Sequence, residues 1–170
     1  YGNSCTPILG PGKITGSVSF GNGCSVTVKS PFWIAGALSA GNTTTFKLDS
    51  SYGASSGMII VDGRVSLGNG GDLRGSGTAG SYLMLLSTYN SSVFGGEAID
   101  TGNSAISGII YAPYGSVELA NGASFKEISA WKIELGNTAI LNYQSGLAQT
   151  FFSSGPSGSY SLVKGTYQVK

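Results

Sequence analysis

Val65-Ser66-Leu67-Gly68-Asn69, Val117-Glu118-Leu119-Ala120-Asn121 and Ile133-Glu134-Leu135-Gly136-Asn137 carry one pattern: two apolar residues flanking a polar one, a small residue, then Asn. Val18-Ser19-Phe20-Gly21-Asn22, Leu38-Ser39-Ala40-Gly41-Asn42 and Ile99-Asp100-Thr101-Gly102-Asn103 repeat it, which makes six copies. Two residues after each Asn stands a small side chain (Cys24, Thr44, Gly71, Ala105, Ala123, Ala139). Four residues after it stands an apolar one in five copies (Val26, Phe46, Leu73, Phe125, Leu141), while the copy at Asn103 has Ser107 beside Ile106. Alternation of apolar with polar residues on both sides of the Asn is the period of a strand with one buried face.

A strand, a corner and a second strand, repeated at nearly constant phase, suit a coil of parallel strands in which equivalent side chains stack. The expected fold is therefore all-β, a right-handed parallel β-helix (β-solenoid) of about six rungs. The Gly-Asn pair is expected to supply the positive φ of each corner at Asn22, Asn42, Asn69, Asn103, Asn121 and Asn137. Hairpins compete with this reading, because Asn69-Gly70 and Asn121-Gly122 are strong signals for two-residue turns. A meander would not require the same small residue after every Asn. The spacings between marker Asn residues are 20, 27, 34, 18 and 16. The surplus before Asn103 falls near Gly75-Ser76-Gly77-Thr78 and Tyr89-Asn90-Ser91-Ser92, where outward insertions at corners are expected.

Composition supports the class. Charged residues make up 10% of the chain and glycine 28 positions, with no run of helix formers long enough for three turns. One domain over residues 1–170 is expected, with a disulfide-stapled segment at 1–30 and a C-terminal strand or tail at 155–170. The net charge is +1 and the Lys and Arg residues are scattered, which argues against a nucleic-acid partner. The longest purely apolar stretches, Met58–Val61 and Leu83–Leu86, are too short to span a membrane. Cys5 and Cys24 are the only cysteines, and the chain has no His, so zinc or haem ligation lacks partners. A disulfide is the favoured reading and implies an oxidising compartment; two reduced, buried cysteines are the alternative. The chain begins with Tyr1 rather than Met, as a processed or trimmed product would.

The stretch Gly108-Ile109-Ile110-Tyr111-Ala112-Pro113-Tyr114-Gly115-Ser116-Val117-Glu118-Leu119 is followed by Ala130-Trp131-Lys132-Ile133-Glu134-Leu135-Gly136-Asn137-Thr138-Ala139. Together they resemble the β-helical C-terminal domain of PilX-type pilus-assembly proteins and related bacterial surface proteins. Tyr143-Gln144-Ser145-Gly146-Leu147 is similar to the closing motif of that family, and the likeness covers about residues 58–158. The resemblance implies a cell-surface or pilus-associated β-helix without known catalysis. Family members usually carry an N-terminal hydrophobic pilin-like helix, which this sequence does not show.

Without His, the nucleophile–His–carboxylate arrangements are absent, and neither catalytic residues nor cofactors nor a metal site are expected. Glu118 and Glu134 should stack on one outward face, with Asp100 before them, either as compensated surface charge near Lys126 and Lys132 or as a cation or acid site. Asp62-Gly63-Arg64 and Asp72-Leu73-Arg74 read as corner turns with surface ion pairs or as a small charged cluster. Asn42-Thr43-Thr44 and Asn90-Ser91-Ser92 match the glycosylation pattern, which a chain of this composition produces by chance. Tyr82, Tyr89, Phe94, Tyr111 and Tyr114 are expected near the long insertion. There Tyr89, Tyr111 and Tyr114 could recognise a glycan or a host surface, or merely cover a corner of the core.

Two functions follow. One is an extracellular, non-catalytic structural subunit that self-associates head-to-tail or by strand donation, as a filament, pilus or cell-surface component. Edge-like strands at Tyr160–Val163 and Thr166–Val169 serve that reading. The other is an adhesin-like module at the cell surface that binds a glycan or surface ligand.

Overall fold

The computed structural model describes residues 1–106 and 108–141. Sixteen strands occur in this part of the chain. In order they are β1 (Ile8–Leu9), β2 (Gly12–Ile14), β3 (Val18–Phe20), β4 (Ser25–Val28), β5 (Phe32–Ile34), β6 (Leu38–Ala40), β7 (Thr45–Leu48) and β8 (Gly57–Val61). Then come β9 (Val65–Leu67), β10 (Asp72–Arg74), β11 (Leu83–Ser87), β12 (Ile99–Thr101), β13 (Ile109–Leu119), β14 (Ser124–Phe125), β15 (Glu127–Leu135) and β16 (Ile140–Leu141). A 3-10 turn at Ser50–Tyr52 and one helical turn, α1 (Ser91–Phe94), complete the regular structure.

Every pairing among these strands is parallel. Three ladders result. The first runs β1-β4-β7-β10 and continues through single bridges at Ile106 to β14 and β16. The second runs β2-β5-β8-β11 and the third β3-β6-β9-β12. Long strand β13 pairs with β11 through Ile109–Tyr111 and with β12 through Val117–Leu119, and β15 pairs along both halves of β13. The second and third ladders are thereby joined into one ten-stranded parallel sheet, curled into a half-barrel. The chain is all-β and mostly parallel. The two hairpin signals are overruled: Asn69-Gly70 joins β9 to β10, which lie in different ladders, and Asn121-Gly122 joins β13 to β14 in the same way.

The Asn corners stack in register. The side-chain oxygen of each Asn accepts the backbone N–H of the next, from Asn3 to Asn22 (2.9 Å), Asn22 to Asn42 (2.8 Å), Asn42 to Asn69 (2.9 Å) and Asn69 to Asn103 (2.9 Å), and again from Asn121 to Asn137 (2.9 Å). The following residue in each corner donates its own N–H to the next Asn carbonyl, as Thr43 does to Asn69 at 2.7 Å. This pairing satisfies backbone groups that a turn would otherwise leave to solvent. The copies number seven, because Gly2-Asn3-Ser4-Cys5 heads the series.

Two expectations about the corners are corrected. Positive φ belongs to the residue after the Asn, at Ser4, Gly23, Thr43, Gly70, Ser104, Gly122 and Thr138, with values from 52° to 70°. The glycine before the Asn serves close approach instead: a Cβ on Gly68 would lie 2.5 Å from the Gly41 carbonyl carbon and 2.6 Å from the Asn42 nitrogen. Tyr1–Gly12 contributes β1 and the start of β2.

The enclosed face gathers the alternate apolar residues in columns. Val18, Leu38, Val65, Ile99 and Val117 form one, and Phe32, Ile59, Leu85 and Ile110 another, and all are buried. Each such side chain contributes about 1.5–3 kcal/mol on leaving water. Extra residues sit at corners, at 49–56 between β7 and β8, at 75–82 between β10 and β11, and at 88–98 between β11 and β12. Ser107, the 155–170 tail, the strands proposed at Tyr160–Val163 and Thr166–Val169, and the closing motif at Tyr143–Leu147 lie outside the described residues.

Candidate functional site

The insertion at 88–98 shapes the corner between the second and third ladders. Asn90 starts α1 by accepting the Ser92 and Val93 N–H groups at 3.0 and 3.3 Å. The Ser116 N–H donates to the buried Ser91 hydroxyl at 2.9 Å, which pins the helical turn to β13. At Gly115 a Cβ would stand 2.9 Å from the Tyr89 carbonyl oxygen, so this approach requires glycine. So anchored, α1 turns Val93 (67% exposed) and Phe94 (70%) to solvent.

The same corner continues with aromatic residues. Between Ala112 and Ser116, β13 holds two more residues than β15 does between Ala130 and Lys132, so the pairing register shifts there. Tyr114 (59% exposed) and Trp131 (60%) occupy these facing irregular stretches. Val93, Phe94, Tyr114 and Trp131 therefore form an exposed apolar ridge along one corner. Scattered exposed apolar residues need no explanation, but four large ones on three successive levels of one corner mark a surface suited to contact. The sequence reading singled out Phe94 and Tyr114 and missed Val93 and Trp131. A signal for Trp131 existed, since Tyr114 and Trp131 each stand shortly before the apolar residue that opens the repeat.

The other aromatic candidates separate. Tyr89 is half-buried, donates its hydroxyl to the Gly95 carbonyl at 3.0 Å, packs 5.6 Å from the Phe94 ring and lies under Arg64 at 5.4 Å, so it supports the insertion. Tyr111 lies in the outward column Lys13, Trp33, Ile60, Leu86, Tyr111 of the second ladder. Tyr82 faces a different corner, with the Lys126 ammonium 4.6 Å from its ring centre. The expected gathering of five aromatics reduces to Tyr89, Phe94 and Tyr114.

The outward acidic column forms as expected: Asp100 is in register with Glu118, and Glu118 with Glu134. Lys132 neutralises its end with a 2.7 Å ion pair to Glu134, which raises the Lys132 pKa through that hydrogen bond and charge. Lys126, expected nearby, is engaged with Tyr82 instead. Desolvation against the sheet raises the Asp100 pKa, and the Glu97 charge adds to it. Among the described residues, no group of three or more metal-ligating side chains converges.

The suspected carboxylate and guanidinium cluster does not assemble. Asp72 pairs with Arg74 within its own strand. Arg64 turns to the insertion, where it donates to the Gly95 carbonyl at 3.0 Å. Asp62 accepts from the Trp33 indole N–H at 2.8 Å and the Thr88 hydroxyl at 3.0 Å, tying three levels of the second ladder together. Lys13 stands 3.7 Å above the Trp33 ring, so that indole face is occupied.

Cys5 and Cys24 are joined in a disulfide, with Cα atoms 4.4 Å apart. Both occupy the small-residue position two after an Asn, in adjacent corners, so the bond staples the first stacked pair. No helix among the described residues is long and apolar enough to cross a membrane. Comparison with protein-family models, with curated proteins and with solved structures gave no match.

Proposed function

We propose that this chain is a right-handed parallel β-helix that serves as a non-catalytic, extracellular structural subunit of a pilus, filament or cell surface, and that it self-associates. The three ladders support the coil, because each repeat gives one strand to each ladder in turn. Parallel strands joined by crossovers take the right-handed path almost without exception. The disulfide suits an oxidising compartment, and the likeness of residues 108–139 to PilX-type domains points to the bacterial surface.

The observation that carries self-association is the edge formed by β1 and β2. Among the described residues no strand pairs with their outer sides, whereas Tyr1 already closes the outer side of β3 by donating to the Ser19 carbonyl at 2.8 Å and accepting the Gly21 N–H at 2.9 Å, so two short parallel edges stand at one end of the stack. Edges of this kind accept an added strand from another chain. Residues 155–170 of a neighbouring copy, with alternating Tyr160-Leu162 and Tyr167-Val169, are the segment to be donated. Light scattering and negative-stain microscopy of the purified chain test this: concentration-dependent polymers that vanish on deletion of 165–170 are expected. Assembly that survives the deletion counts against strand donation, and a strict monomer at all concentrations counts against self-association.

The ridge of Phe94, Tyr114 and Trp131 favours a second reading, an adhesin-like module that binds a glycan by stacking of sugar rings on aromatic faces. Retention on immobilised glycans that is lost on combined Phe94→Ala, Tyr114→Ala and Trp131→Ala substitution would support it. Absence of retention by the parent chain would remove it.

A further inference from the structure

Alternate residues of the three ladders point outward, and the three outward faces differ in chemistry. The third ladder presents Ser19, Ser39, Ser66, Asp100, Glu118 and Glu134 in one polar column. The first presents Thr27, Lys47 and Arg74. The second is apolar: Trp33, Ile60, Leu86 and Tyr111 stand in one column, and Met58, Met84 and Ile109 in the column beside it. Trp33 is 38% exposed and Tyr111 39%, while Met58, Ile60, Met84 and Leu86 are partly exposed. Within these columns charge occurs only at the two ends. Lys13 of β2 heads the first column, and Glu127 of β15 closes the second. The Lys13 ammonium lies 3.7 Å from the Trp33 ring centre, which holds its charge at that end of the face.

We infer that this face pairs with the same face of a second copy, the two stacks running antiparallel. The order of residues along the first column carries the geometry, because it reads nearly alike from either end: Lys13, Trp33, Ile60, Leu86, Tyr111, Ser129. A twofold axis along the strands, between β8 and β11, sets Ile60 against the partner's Leu86, Met58 against the partner's Met84 and Trp33 against the partner's Tyr111. Aliphatic meets aliphatic, and ring meets ring. The same operation brings Lys13 opposite the partner's Ser129, and the partner's Glu127 lies two residues along that strand, about 7 Å aside and within reach of a lysine side chain. Parallel stacks would instead gather Lys13 of both copies at one end and Glu127 of both at the other, which like charges oppose. Area sets the strength. Six strands about 4.8 Å apart and about five residues long make a face of about 24 by 16 Å, about half the ~800 Å² that a stable complex buries on each partner. A single pair is therefore weak, and copies already joined by another contact would hold it through multivalency. The pairing joins stacks side by side and does not rest on strand donation at the β1–β2 edge.

The test uses the full chain at high micromolar concentration. A carbodiimide, which joins an amine to a carboxylate without a spacer, should give a Lys13–Glu127 link identified by peptide mass spectrometry. Within one copy these residues stand five levels apart, about 24 Å, so the link forms only between antiparallel copies. Its absence from the parent chain overturns the inference. In sedimentation velocity, Lys13→Glu and Glu127→Lys should each weaken the pair by about tenfold, and the double reversal should restore it. A double reversal as weak as the single ones overturns the antiparallel arrangement. Leu86→Lys, mid-face and three levels from β2, should abolish the Lys13–Glu127 link with an unchanged circular dichroism spectrum, and a link that survives this change overturns the inference as well. A chain that gives no link and whose Leu86→Cys thiol resists labelling would assign the cover of this face to the chain itself. Polymers that depend on residues 165–170 are read by their deletion and the face by its link, so failure of side-by-side pairing and failure of strand donation are distinguishable.

Discussion

The side-chain oxygen of Asn42 accepts the backbone N–H of Asn69 at 2.9 Å, across one level of the stack. Asn69 repeats the contact with Asn103 at 2.9 Å, so one amide in each corner fixes the register of the next. Substituting Asn42→Ala leaves the Asn69 N–H to solvent and should lower stability by about 0.5–1.5 kcal/mol, the usual net worth of one such bond. Asn42→Asp keeps the acceptor and should lose less. Chemical denaturation of both variants checks the order, and equal losses would show that the oxygen is not the group that matters.

Two glycines in one corner should respond oppositely. Gly68→Ala drives a Cβ to 2.5 Å from the Gly41 carbonyl carbon and should cost about 1–3 kcal/mol through forced backbone displacement. Gly70 has φ +66°, a Cβ there would meet only the Thr43 methyl at an ordinary 3.5 Å, and Ser4, Thr43, Ser104 and Thr138 fill the equivalent position elsewhere. Gly70→Asn should therefore fall within about 1 kcal/mol of the parent, since Asn tolerates left-handed backbone. Thermal melting of the pair measures the contrast.

Combined Cys5→Ser and Cys24→Ser substitution removes a staple that closes a 19-residue separation. A loop of this length corresponds to about 3 kcal/mol of unfolded-state entropy. Melting of the parent should fall on addition of reductant, and melting of the double variant should not respond to it. Identical melting of reduced and oxidised parent chain would contradict the staple's role.

Acidification should act through Asp100. Its pKa is raised by desolvation and by Glu97, so the folded state holds this proton more tightly than the unfolded chain does. As pH falls through the raised folded value toward the ordinary one, Asp100 therefore adds stability; above it, the ionised group is a liability. Asp49 works the other way, because hydrogen bonds from Ser51 lower its pKa and its contribution is lost as pH falls through that lowered value. Asp100→Asn should be more stable than the parent at neutral pH and should gain less on mild acidification. Denaturation midpoints from pH 7 down to pH 3 read both.

The repeat was legible because period-2 alternation and the Asn marker survive every insertion, and parallel pairing follows from constant phase. The first copy escaped notice because only Tyr1 precedes Gly2-Asn3, so no alternating strand announces it. Which corner glycine bends and which one makes room was not legible either, since that depends on the distance between stacked backbones, as at Gly68 and Asn42. The ridge was half legible: Phe94 and Tyr114 stand out as aromatics, but Trp131 joins them only through the register of β15 on β13. The charged groups were mispaired because Arg64 and Lys126 find a carbonyl and a ring on other levels, contacts that no local spacing encodes.

Stacking of successive repeats as parallel neighbours is most directly measured by inter-strand nuclear Overhauser contacts in isotope-labelled protein. Amide-to-Hα contacts linking β9 to both β6 and β12, with Val65 between Leu38 and Ile99, are the predicted result. Hα-to-Hα contacts across Asn69-Gly70, joining β9 to β10 as an antiparallel hairpin, would contradict it.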